Sequence, residues 1–72
     1  MTVKEWVDFL QKDKKVKKIG LEMQGGFPCK KENYLRKEVF MESFYSGWLD
    51  DEVVDVCSNY PEKGYVLLTF KT

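Results

Sequence analysis

The chain contains no histidine, one arginine, two cysteines and two prolines. Without histidine it lacks the side chain that titrates nearest neutrality and that usually serves as metal ligand or as base to a nucleophile. Ser-His-Asp and Cys-His catalysis and every histidine-bearing zinc site are therefore excluded. Cys29 and Cys57 are far apart in sequence, too few for a structural zinc site or a disulfide framework. They are read as reduced thiols, with a single bridge between them as the alternative that spacing leaves open. No cofactor and no metal is expected.

A membrane-spanning helix needs about 20 apolar residues, and no such run occurs. Lys4, Glu5 and Asp8 interrupt the stretch where a signal peptide would be apolar. Neither Asn33 nor Asn59 begins a glycosylation sequon. These features predict a soluble, cytoplasmic protein. Gly25-Gly26 lacks the Gly-Lys-Ser/Thr ending of a phosphate-binding loop and signals a turn only.

What the chain does have is aromatic mass: two Trp, four Tyr and five Phe in 72 residues. A chain of this length buries only about 60% of the surface its unfolded form exposes, so rings that bury roughly 150 to 250 Å² each are the natural source of cohesion. Trp6, Phe44 and Trp48 are the core candidates. Little interior is left for a substrate pocket, and a non-catalytic protein is expected. The acidic residues do not alter this, because paired-carboxylate glycoside chemistry needs a cleft around a distorted sugar.

Thr2-Val3-Lys4-Glu5 has the form of a capping box, and Val3, Trp6, Val7 and Leu10 follow at helical spacing. A helix from there to about Asp13 is predicted. Ile19, Leu21 and Met23 alternate with Gly20, Glu22 and Gln24 as in a strand with one buried face. Met41, Phe44, Tyr45 and Trp48 stand at helical spacing and predict a second helix over about Tyr34–Leu49. The alternation of Leu35, Lys37, Val39 and Met41 allows Tyr34–Met41 to be a strand instead. Val53–Cys57 and Tyr65–Phe70 flank a Pro- and Gly-containing turn and predict a closing hairpin. Both faces of the last segment are apolar, so it should be a central strand or one covered on both sides. The fold expected for residues 1–72 is a single small α+β domain, helix-strand-helix-hairpin, with a three-stranded sheet packed by two helices.

Charge sums to zero but is unevenly placed. Met1–Lys37 carries ten cationic and five acidic residues, whereas Glu38–Thr72 carries two and seven. This polarity suggests two candidate binding surfaces. The acidic set Asp50, Asp51, Glu52 and Asp55, with Tyr45 or Tyr60 as an aromatic anchor, suits a basic surface on a larger protein partner. The lysines of the Lys12–Lys18 run, Lys14, Lys15, Lys17 and Lys18, suit phosphates and give the alternative of a nucleic-acid-binding accessory protein. A module of that kind is expected to be net positive and richer in arginine than this chain. A third reading is a self-associating structural subunit using the apolar side of the last strand at Tyr65 and Leu67.

Phe40-Met41-Glu42-Ser43-Phe44-Tyr45-Ser46-Gly47-Trp48 resembles a Phe-x-x-x-Phe-x-x-Gly-Trp helix end found in a family of small phage anti-CRISPR proteins that block a type II CRISPR nuclease. The resemblance covers nine of the 72 residues. It implies an inhibitor that mimics nucleic acid at the site reading the protospacer-adjacent motif, with Asp50-Asp51-Glu52 in the place of that family's acidic stretch. The leading expectation is accordingly a non-catalytic inhibitor or adaptor that covers a basic surface through an acidic face.

Overall fold

The computed structural model describes residues 1–42 and 47–71. A helix, α1 (Val3–Gln11), leads into β1 (Lys18–Met23). A short 3-10 turn at Lys31–Asn33 precedes β2 (Leu35–Arg36), and a second 3-10 segment, Lys37–Glu42, follows it. The hairpin of β3 (Glu52–Ser58) and β4 (Tyr65–Lys71) closes the chain. The strands form one mixed sheet in the order β2-β1-β4-β3. β4 is thus central, parallel to β1 and antiparallel to β3.

The α1 boundaries follow from local chemistry. The Thr2 hydroxyl accepts from the Glu5 N–H at 3.3 Å while the Glu5 carboxylate accepts from the Thr2 N–H at 2.8 Å, closing the capping box. The remaining first-turn donors are taken by another part of the chain: Val3 N–H donates to the Asp51 carbonyl and Lys4 N–H to the Leu49 carbonyl, both at 2.9 Å. The start of the helix is thereby fixed to the approach to β3 with its orphan donors satisfied. Val3, Val7 and Leu10 are buried against Ile19, Leu21, Val66, Leu68 and Phe70 of the sheet, and Phe40 enters the same core. Burial of each such side chain contributes about 1.5–3 kcal/mol.

The expected second helix is corrected. Residues 43–46, which include Phe44 and Tyr45, lie outside the described residues; over Tyr34–Glu42 the chain is a two-residue strand followed by a 3-10 segment. Three pairings favour extended backbone there. Ile19 pairs with Leu35 and Lys18 with Arg36, and Lys37 N–H donates to the Lys17 carbonyl at 3.1 Å, which extends the ladder. Tyr34 is buried on the side of the sheet opposite the core, over Gly20, while Leu35 packs toward the core. Neighbouring residues projecting to opposite sides is the geometry of a strand. Among the described residues the domain therefore has four strands and one α-helix, not three strands and two helices.

The hairpin expectation holds within a residue at each end. Its register shifts between Val53 and Asp55, which bulges the edge strand β3. Asn59 and Gly64 take positive φ in the connection, and the Asn59 side-chain oxygen accepts from Gly64 N–H at 3.2 Å. No helix among the described residues is long and apolar enough to cross a membrane.

Candidate functional site

The end of the sheet where β1 and β4 begin collects the cations. After α1 the chain turns at Asp13, whose carboxylate accepts from Lys15 N–H at 2.9 Å and whose carbonyl accepts from Val16 N–H at 3.1 Å. Val16 is buried and holds the connection against the core, leaving Lys14 and Lys17 exposed on either side of it. Lys17 and Lys18 N–H groups both donate to the Gly64 carbonyl, at 2.7 and 3.2 Å, which fixes the run to the hairpin.

β2 then brings two more cations. Arg36 stands across from Lys18 in the ladder. Lys37 is fixed from three directions: its N–H to the Lys17 carbonyl, its ammonium to the Asp13 carbonyl at 2.6 Å, and its own carbonyl accepting from the Gln11 amide at 3.0 Å. The result is a groove of about 560 Å³ lined by Lys14, Lys17, Lys18, Arg36 and Lys37, with Glu38 as the one carboxylate among the described residues of its lining. Five cationic side chains line this one opening on a frame held by main-chain bonds, with the Lys37 ammonium held by the Asp13 carbonyl and the Lys18 ammonium reaching the Tyr65 ring.

Lys15, grouped with these lysines by sequence, is directed elsewhere. It lines a smaller hollow of about 260 Å³ beside Trp6 and Phe9, whose rings meet edge to face at 5.9 Å. Arg36 and Lys37 are the residues that sequence reading missed, because a helix over Tyr34–Leu49 assigns them to a solvated face. The strand-like alternation from Leu35 to Met41 was the signal that pointed to them.

The acidic set is at the opposite end of the sheet. Glu52 is cross-strand from Lys71, and its carboxylate accepts from the Met1 ammonium at 2.8 Å. This bond raises the pKa of the amino group. The Asp51 carbonyl caps α1 and its residue is half-buried, while the Asp55 carboxylate accepts from the Val56 N–H at 2.9 Å. Asp50 is exposed. The two charge clusters thus flank α1, acids at its N-terminus and cations at its C-terminus, as its dipole favours. Tyr45 lies outside the described residues, and Tyr60 is exposed.

The sheet face away from α1 carries tyrosines. Tyr34 and Tyr65 rings lie 5.3 Å apart, tilted by 54°. Desolvation pushes the Tyr34 hydroxyl well above the usual phenol pKa, with smaller contributions from Cys29, Tyr60, Glu22 and Cys57 around it. That hydroxyl is buried without a hydrogen-bond partner among the described residues. Lys31 bonds Glu62 at 2.8 Å, and this bond raises the lysine and lowers the carboxylate.

Cys29 and Cys57 are not joined by a disulfide. Among the described residues no group of three or more Cys, Asp or Glu side chains is placed to hold a metal ion. A second groove of about 560 Å³ lies between Met23, Phe27, Pro28 and Trp48, with no charged side chain among the described residues of its lining. No family model, curated protein or solved structure matches the chain.

Proposed function

We propose that this chain is a small non-catalytic binding protein whose working surface is its basic end, and that the ligand is a polyanion carrying phosphates. The observation that carries the reading is the groove in which Arg36 and Lys37 join Lys14, Lys17 and Lys18 around one carboxylate. Closely spaced cations on a rigid frame gain affinity by releasing the counterions that a phosphate chain condenses. Zero net charge does not oppose this, because the two ends of the sheet are farther apart than the Debye length of about 8 Å at physiological salt, so each is largely screened from the other. Seven residues of strand span roughly 20 Å.

The acidic-face inhibitor has less support. Asp50, Glu52 and Asp55 are exposed, but Glu52 is engaged by the Met1 ammonium, Asp55 by its neighbour's N–H, and Asp51 is half-buried. The stretch resembling the anti-CRISPR family includes residues 43–46, outside those described.

Titration of a fluorescein-labelled oligonucleotide at low salt tests the proposal. Binding is expected for the native chain and loss of at least tenfold for Lys14→Glu/Arg36→Glu, with both proteins folded by circular dichroism. Equal binding by the two would refute it.

A further inference from the structure

The basic groove continues onto the outer face of the sheet through Lys18. Its side chain lines the groove, and its ammonium also lies 5.6 Å from the centre of the Tyr65 ring. Lys31, arriving from the 3-10 turn before β2, places a second ammonium 5.9 Å from the same centre. Tyr34 supports the ring from beside it, and Tyr60 is bonded to Tyr65 through its N–H and the Tyr65 carbonyl at 3.1 Å, with half of its surface exposed.

Resting on the polyanion reading, we infer that the ligand is single-stranded nucleic acid, its phosphates along Lys14, Lys17, Lys18 and Arg36 and its bases stacked on Tyr65 and Tyr60. Two features distinguish this from a general phosphate site. Exposed or half-exposed aromatic rings next to cations offer a base its π-face partner, and only an unpaired strand presents that face. A duplex keeps its bases stacked inside, and inorganic polyphosphate has none. The platform is also held in place before any ligand arrives. Tyr34 lies flat on Gly20, and Tyr65 sits between Tyr34 and two ammoniums: Lys31 is held there by Glu62, while the long stem of Lys18 can swing aside to a phosphate as a base takes its place.

The test measures labelled oligothymidylate, a hairpin duplex, inorganic polyphosphate of matched charge and phosphatidylserine vesicles against the native chain, Tyr60→Ala, Tyr65→Leu and Tyr65→Phe. The single strand should bind tightest. Tyr60→Ala and Tyr65→Leu should each weaken it roughly tenfold, the scale of one lost stacking contact. Tyr65→Phe should retain binding, and polyphosphate should bind all four proteins alike. Because Tyr60 is exposed, its variant decides the matter even if Tyr65→Leu is poorly folded. Unchanged oligothymidylate binding in Tyr60→Ala and Tyr65→Leu, with polyphosphate still bound, overturns stacking and leaves the polyanion reading standing. Tighter binding of duplex or vesicles overturns the choice of ligand. Failure of the native chain to bind any of the four overturns both readings.

Discussion

The ring of Tyr34 lies directly on Gly20: a methyl group at the Gly20 Cα would stand 2.7 Å from Tyr34 Cε2 and 2.8 Å from two further ring carbons. That contact is closer than packed carbons tolerate, and the glycine is what allows an aromatic residue to lie flat on the sheet. It seats β2 against β1 and thereby brings Arg36 and Lys37 to the basic groove.

Gly20→Ala is therefore expected to destabilise the fold by about 1–3 kcal/mol, the usual cost of overpacking a filled site. Combined with Tyr34→Ala, it should cost clearly less than the two single changes together, because the clash is gone. Denaturant melts of the four proteins in this cycle measure the coupling. Strict additivity would mean that the two residues do not meet.

Tyr34→Phe should leave stability equal or raise it, since a buried hydroxyl without a partner costs about 1–3 kcal/mol. The native chain should also lose stability above about pH 10. There the unfolded phenol ionises, whereas the folded one, pushed up by desolvation, keeps its proton. Stability from this group is thus complete below the unfolded pKa and declines as pH rises past it. Melting temperatures between pH 8 and 11 should fall less steeply for Tyr34→Phe; parallel curves would contradict the assignment.

At the other end, Thr2→Ala should destabilise by about 1 kcal/mol through loss of the cap. Glu5 is held below the ordinary carboxylate range by its hydrogen bonds with Thr2, so its contribution is present above the unfolded pKa and lost as pH falls through the folded one. Glu5→Gln should reduce the dependence of stability on pH below about 5. Urea midpoints across that range provide the check.

How much of this was legible in sequence depended on how local the cause was. The capping box and stripe of α1 lie within nine consecutive residues, and the two hairpin strands flank their own turn, so both could be read directly. The apolar second face of Tyr65–Phe70 also announced a central strand. The parallel pairing of β1 with β4 joins residues more than forty positions apart, Ile19 with Val66 among them, and no local pattern encodes it. The basic groove was half visible. Lys14, Lys17 and Lys18 form a run, but Arg36 and Lys37 enter only through the register of β2, which the helical spacing of Met41, Phe44, Tyr45 and Trp48 concealed. The zero net charge was an average over two ends that the fold keeps apart.

Reversal of the exposed acid, Asp50→Lys, separates the two charged ends. The change sits beside the N-terminus of α1, where a positive charge opposes the dipole, so a loss of about 0.3–1 kcal/mol is expected. Oligonucleotide affinity should not fall. A decrease in affinity without loss of folding would show that the acidic end takes part in binding.

The most direct test is the salt dependence of oligothymidylate binding. Each phosphate contact on a single strand contributes a slope of roughly −0.7 in log K against log salt. Removing two contacts with Lys17→Ala/Arg36→Ala should make the native slope shallower by about 1.4 while the protein stays folded. A native slope near zero, or one that the double variant leaves unchanged, would contradict the assignment of the basic end as the binding surface.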